Sequence, residues 1–333
     1  MNSRQFILAS RPHGFPSSEN FRIENKGLDE LKDNEVLLKS WFISVDPYMR
    51  GRMNNLKSYA SPFEVNQPIK GNIVARVIES KSKTFTEGDI VVGILPWATY
   101  CIEKAENLRK VDTQSVPPGY YLGILGMPGL TAYFGIMDIG KPKAGETVVI
   151  SCAAGAVGIV AGQIAKIQGS YVVGITGSDE KCKLLKEEFR FDEAVNYKTA
   201  TIMRNVIAAV CPNGVDVYYD NVGGEITDAV IANLNFHARI ALCGQISQYN
   251  NTRVSMGPAI LPILLTRSIL LQGFIVSNYS DRFGEAFAQL TQWVNDGTIK
   301  YKETIIHGFD KLPDAFLGLF TGKNQGKMLI ETE

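Results

Sequence analysis

Apolar residues follow two periods along this chain. Up to about residue 122 the apolar runs are short: EVLLKSWFISV (35–45), NIVARVIES (72–80) and DIVVGILPW (89–97), separated by turns rich in Gly, Pro and Asn. That pattern predicts short, largely antiparallel strands, with Glu87-Gly88-Asp89 as a tight turn into one of them. From about residue 123 the pattern changes. ETVVISC (146–152) predicts a buried strand, and AVGIVAGQIAKIQG (156–169) an Ala-rich helix closed by Gly169. Strand and helix then alternate: YVVGIT and DEKCKLLKEEF, AVNY and TATIMRNVIAAV, VDVYYDNV and ITDAVIANL. RIALCG (239–244) is the fifth strand, and ILLQGFIV the sixth beyond an irregular insert. Six strands alternating with helices predict an α/β, doubly wound parallel sheet. From about 301 the elements shorten again, and this stretch is expected to rejoin the first part. The expected domains are therefore 1–122 plus 301–333, and an inserted domain at 123–300.

A length of 333 residues suits two such domains. Formal net charge is zero, which gives no electrostatic footprint for nucleic acid. The most apolar stretch, ILPILLTRSILLQGFIV (260–276), is interrupted by Pro262, Arg267 and Gln272, so no membrane span is expected. The N-terminal apolar run is too short for a secretory signal, and a cytoplasmic protein is expected. The five cysteines, Cys101, Cys152, Cys182, Cys211 and Cys243, are odd in number and have no C-x-x-C spacing. They read as reduced thiols rather than a disulfide framework or zinc site. His13, His237 and His307 are far apart and lack ligand spacing, so no metal is expected.

The chemistry-bearing turn follows the first strand of the alternation. SCAAGAVGIVAGQIAK fits G-x-G-x-x-G with alanine in the first slot. Gly155 lets backbone approach a pyrophosphate, Gly158 lets helix and strand pack closely, and the helix N-terminus offers N–H groups to phosphate. A purely structural turn, or a methyltransferase, shares such a loop; its place in the six-strand alternation favours a dinucleotide. About 19 residues beyond Gly158, where an NAD enzyme carries its ribose-binding acid, stands Gly177. Asp179 and Glu180 follow in a helix start capped by Ser178, where acids suit the helix dipole without any ligand. Lys181 is on the same turn. It is either a solvated surface residue or a partner for a 2′-phosphate; the missing acid with the added cation favours NADP.

VVGITGSDEK, NYKT, YYDNVGG, CGQISQYN and QGFIV, with SVDPYMRGRM near the start and GKNQGK near the end, resemble the zinc-independent medium-chain dehydrogenases/reductases. Within them the chain is similar to the leukotriene B4 12-hydroxydehydrogenase / prostaglandin reductase family, including its bacterial curcumin reductase branch. The resemblance runs over nearly the whole chain. It implies a GroES-like, mainly-β catalytic domain, an inserted Rossmann domain, and a cleft where NADPH reduces the carbon–carbon double bond of α,β-unsaturated ketones and aldehydes. Carried over residue by residue, the phosphate loop falls on Gly155, Ala156, Val157 and Gly158, the 2′-phosphate lysine on Lys181 and the next contact on Tyr197. The nucleotide-binding asparagine falls on Asn221. The nicotinamide loop is Cys243, Gly244, Gln245, Ile246, Ser247 and Tyr249, and a strand at Phe274, Ile275 and Val276 borders it. Asn324 matches a further cofactor contact. A homodimer through the last sheet strand is also implied.

Where zinc members of the superfamily carry Gly-His-Glu, this chain reads PIKGNIVARV, and the four-cysteine lobe is missing. Hydroxyl donors are then expected to stabilise the enolate oxygen that forms as hydride adds to the β-carbon. Tyr48, Tyr59 and Tyr249 are the candidates, with ordinary packing as the alternative for each. Arg50 and Arg52 read either as anion ligands or as two surface arginines. After SQY the chain reads NNTRVSMGPAILP rather than a proline-rich run with a further tyrosine, which leans away from prostaglandins toward simpler enone or enal substrates. A quinone oxidoreductase and a non-catalytic NADPH-binding protein remain alternative readings.

Overall fold

The computed structural model describes residues 1–332 and divides the chain into two compact units, Met1–Leu122 with Glu303–Asn324 and residues 328–332, and Gly123–Lys302 with Gln325–Lys327. The first unit is built on a seven-stranded sheet and a two-stranded ribbon. Glu35–Ser44 is its central strand, antiparallel to Lys70–Ser80, Tyr100–Lys104 and Lys327–Glu331. Inward positions alternate along that strand, and Val36, Leu38 and Ile43 join Ile73, Leu95, Trp97 and Phe316 in one core. Gly88, with φ +88°, makes the tight turn that leads into Ile90–Pro96. Asp89 fixes this turn by accepting from the Thr86 N–H at 3.0 Å.

The second unit carries six parallel strands. In chain order they are β1 (Thr147–Ser151), β2 (Tyr171–Thr176), β3 (Glu193–Asn196), β4 (Val215–Asp220), β5 (Leu234–Leu242) and β6 (Leu270–Gly273). Their order across the sheet is β3-β2-β1-β4-β5-β6. This is the doubly wound Rossmann arrangement, with its crevice at the switch point where the order reverses beside β1 and β4. Every residue of β1 is buried, as expected of a strand covered on both faces. Helices α1 (Gly158–Ile167), α2 (Asp179–Glu187), α3 (Met203–Val210) and α4 (Gly224–Ile231) follow β1 to β4 in turn.

Three boundaries depart from expectation, each for a local reason. The third helix starts at Met203 rather than near Thr199, because Asn196 holds residues 196–199 in a turn: its Oδ1 accepts from the Lys198 N–H at 3.1 Å and its carbonyl from the Thr199 hydroxyl at 3.2 Å. β5 begins five residues early, at Leu234, and passes through His237 at φ +61°; the polar letters of NFHA hide it. The last strand ends at Gly273, so Phe274, Ile275 and Val276 are not strand; a 3-10 turn runs over Val276–Arg282. No helix among the described residues is long and apolar enough to cross a membrane.

Candidate active site

The carboxyl ends of β1, β2, β4 and β5 carry the site of the second unit. At β1, Cys152 turns the chain out of the sheet in the left-handed region (φ 49°), and its carbonyl accepts from the Gly155 N–H at 2.9 Å. The chain then enters α1 through Ala156 and Val157 to Gly158. A methyl group at 158 would run into the Cys152 carbonyl and stand 2.7 Å from Ala153 Cα, so only glycine lets α1 sit this close to β1. At the start of α1 the Ile159 and Ala161 N–H groups donate to the Gly155 and Val157 carbonyls at 3.1 and 2.9 Å, and the positive end of the helix faces the loop, a position that suits an anion. The far side of this loop is closed by a distant segment. The Gly326 N–H donates to the Ala154 carbonyl at 2.8 Å, and Gly155 and Gly326 form an isolated parallel bridge. Gly326 has φ +68°, and a Cβ there would collide with the Lys302 carbonyl. Asn324 lies just before this contact.

At β4, Asp220 is fully buried and collects five donors. Ser151 Oγ donates at 3.0 Å, Tyr218 Oη at 2.9 Å, Thr227 Oγ1 at 2.6 Å, and the Val222 and Gly223 N–H groups at 2.9 and 3.0 Å. Asn221 binds the neighbouring strand end twice: its N–H donates to Ser151 Oγ and its Nδ2 to the Ser151 carbonyl, both at 2.8 Å. The backbone carbonyl of Asp220 accepts from the Cys243 and Gly244 N–H groups at 2.8 and 3.0 Å, and Ser247 folds back onto the Val222 carbonyl. Three strand ends are thus tied into one polar knot, satisfied throughout.

Beside that knot lies a pocket of about 450 Å³. Cys243, Gly244, Gln245, Tyr249, Phe274 and Ile275 line it, and Asn278 joins them from the 3-10 turn. Ile246, Ser247 and Val276 belong to the same segments but do not line it. The Tyr249 hydroxyl accepts from the Gln245 N–H at 3.4 Å. Burial raises the Tyr249 pKa, with the Gln245 amide opposing and Cys243 and Asp220 adding to the rise, so the phenol stays a donor at physiological pH. Burial likewise pushes the Cys243 thiol up to about 12, which leaves it an uncharged lining group.

At β2, Ser178 caps α2 by accepting from the Lys181 N–H at 3.3 Å. Asp179 Oδ1 accepts from Asn196 Nδ2 at 2.8 Å. The Glu180 carboxylate turns to its own N–H and to Ser178, which hold its pKa low. Both acids of this turn serve the helix start. Partial burial lowers the Lys181 pKa; the Cys152 thiol opposes this and the Lys198 cation adds to it. Tyr197 stands across the turn from Gly177. A glycine where a carboxylate would repel a phosphate, beside a lysine, is the donor chemistry that NADP's 2′-phosphate needs.

The other tyrosines belong to the first unit. Burial raises the Tyr48 pKa strongly, Asp46 and Tyr59 add to it, and Arg52 opposes. Tyr59 is 61% exposed. Neither Arg50 nor Arg52 fits the pair of surface arginines. Arg50 is 2% exposed and donates to the Gly14 carbonyl at 2.8 Å and to Asn54 Oδ1 at 2.7 Å. Arg52 stacks 4.1 Å from the Phe63 ring centre and donates to the Ser61 carbonyl at 2.9 Å. Both hold loops of their own unit. Sequence reasoning missed Cys152, Ser151, Asn278 and Gly326. Only Ser151 had a signal, as a hydroxyl ending a buried apolar strand.

With that geometry in place, the chain can be set beside known proteins. Residues 4–111 match the model of an N-terminal domain of oxidoreductase, and residues 156–294 that of a zinc-binding dehydrogenase. Among the described residues no group of three or more His, Cys, Asp or Glu side chains is placed to hold a metal ion. The chain is 43% identical over 333 residues to the NADPH-dependent curcumin reductase of Escherichia coli (98% of this chain, 96% of that one). It is 41% identical over 336 residues to the NADP-dependent 2-alkenal reductase of Nicotiana tabacum (99% and 97%). The crystal structure of CurA from Vibrio vulnificus in complex with NADPH superposes with a TM-score of 0.94 at 43% identity, covering 99% of both chains. The protein belongs to the medium-chain dehydrogenase/reductase family, in its curcumin reductase / prostaglandin reductase branch.

Proposed function

We propose that this protein uses NADPH to reduce the carbon–carbon double bond of α,β-unsaturated ketones and aldehydes. The observation that carries the reading is the turn after β2, where Gly177 replaces the ribose-binding acid and Asp179 and Glu180 are engaged in the helix start. The relatives named for NADPH-dependent curcumin reduction and for 2-alkenal reduction support it. NADPH, when bound, supplies the hydride. The protein's residues bind and orient. The Gly155–Gly158 loop with the α1 N-terminus takes the pyrophosphate, Lys181 and Tyr197 the 2′-phosphate end, and Asn221 and Asn324 the nucleotide. The Cys243–Tyr249 loop with Phe274 and Ile275 walls the nicotinamide and excludes water from it. Tyr249 is the hydroxyl donor proposed for the developing enolate oxygen at this pocket; Tyr59 and Tyr48 are the candidates on the other unit. The α-carbon takes its proton from solvent or from one of these phenols.

The reading extends to a cytoplasmic homodimer paired through β6. Among the described residues no strand pairs with the outer side of this edge strand, and Leu270 and Leu271 are 50% and 37% exposed. The test of function is direct. With 3-nonen-2-one as acceptor, NADPH is expected to be oxidised and NADH scarcely. Equal rates with both would remove the argument from the β2 turn, and turnover of a quinone without enone activity would replace the acceptor class.

A further inference from the structure

The 2′-phosphate end of the proposed cofactor site has a second wall, contributed by the turn after β3. A Cβ built on Gly177 would stand 3.1 Å from Tyr197 Cε1, 3.3 Å from Tyr197 Oη and 3.4 Å from Lys198 Cε. The Lys198 side chain, though exposed, therefore passes close to Gly177 at the end of β2. Asn196 sets this arrangement. Its Oδ1 accepts from the Lys198 N–H at 3.1 Å, while its Nδ2 donates to Asp179 Oδ1 at 2.8 Å. One side chain thus clips the Lys198 turn to the first turn of α2, which carries Lys181. The result is a Lys198 ammonium close enough to add, after burial, to the lowering of the Lys181 pKa. The two acids nearest in sequence do not relieve this, since Asp179 faces Asn196 and Glu180 faces its own backbone and Ser178. Two lysines brought together beside a glycine, with Asp179 and Glu180 directed elsewhere, give the charge and the space that suit a phosphate dianion.

We propose that Lys198 is a second cation for the 2′-phosphate monoester of NADPH, and that Asn196 is the positioning residue that holds it there. This rests on the NADPH reading above. Discrimination between NADPH and NADH then belongs to a pair of lysines on two different turns, with Gly177 leaving the space that the phosphate occupies. Lysine suits the role because its ammonium acts as a point charge with rotatable donors and can share one phosphate with a second lysine.

The experiment is calorimetric binding of adenosine 2′,5′-bisphosphate, which carries the phosphate without the nicotinamide, with NADH binding as control. It is run on the full-length protein and on the Lys181→Ala, Lys198→Ala, Lys198→Arg and Asn196→Ala variants. Loss of one charge-assisted contact is expected to weaken the bisphosphate about tenfold in Lys198→Ala, with NADH affinity unchanged and Lys198→Arg close to wild type. Asn196→Ala is expected to cost less, with the melting temperature unaltered. In the Lys198→Ala background it should add nothing, because it acts through that lysine. Loss of bisphosphate affinity in Lys181→Ala but not in Lys198→Ala would overturn the inference and leave the NADPH reading standing. No loss in either variant would overturn both. Additive losses for Asn196 and Lys198 would overturn the positioning role.

Discussion

Single side chains in this protein divide into those that build the site and those that face what enters it. Asp220 is of the first kind. Replacing it with alanine strands five donors in a buried place, and an unmet buried donor costs about 1–3 kcal/mol. The Asp220→Ala variant should therefore melt many degrees lower, or fail to fold, while Asp220→Asn keeps part of the network and loses less; thermal denaturation of both checks this. Tyr249 is of the second kind. Tyr249→Phe keeps the ring in the pocket wall and removes only the hydroxyl. It should leave NADPH affinity nearly unchanged and lower kcat by about 10²-fold, as loss of one oxyanion donor does. A fall in NADPH affinity with kcat preserved would instead make the hydroxyl a prop for the Gln245 loop. Much of this scale was legible in the letters: Ser178 before Asp179 and Glu180 announced a capped helix start, and Gly177 announced the missing acid. The Asp220 knot was not, because Ser151 reaches it only once β1 and β4 pair, and the donors at 218, 222, 223 and 227 converge only through the turn from β4 into α4.

At the scale of elements, strand and helix alternation was plain because β1 and most of β2 are apolar runs and the other strands keep an apolar stretch of their own between turn signals. The failures fell where backbone geometry and apolar pattern part company. ILLQGFIV reads as one continuous strand, yet its second half leaves the sheet at Gly273, and Phe274 packs against Tyr219 and Tyr279 instead. That exit places Phe274 and Ile275 at the pocket and leaves β6 as a short exposed edge. Lysine on an edge strand blocks pairing with another chain. If the parent is the dimer proposed above, Leu271→Lys is expected to give a monomer by light scattering, with little loss of secondary structure by circular dichroism. A dimer that survives the substitution would place the interface elsewhere.

For the molecule as a whole, each unit carries an ion pair that makes it sensitive to acid. In the second unit, Arg239 grips Glu146 with both terminal nitrogens, at 3.0 and 2.6 Å. Burial alone would raise the Glu146 pKa, but Arg239 and the Lys143 N–H outweigh it and bring it below the usual range. In the first unit, Lys110 and the Thr86 N–H hold Asp89 low in the same way. A carboxylate depressed in the folded state lends stability above its unfolded pKa, about 4, and that stability is lost as pH falls through the folded value. Melting temperature should thus drop on going from neutral pH to below about 4. The Glu146→Gln variant, less stable at neutral pH, should show a flatter acid limb; an identical slope would mean that this pair does not report on unfolding.

The contact of Gly326 with the phosphate loop also has a meaning in time. The loop and α1 leave the ribosome about 170 residues before the glycine that closes their outer edge. A growing chain can therefore assemble the parallel sheet while its nucleotide loop still lacks one border. The nucleotide loop is complete only once residue 326 has been made, so a chain ended before it would carry the fold's appearance without a finished grip on its cofactor.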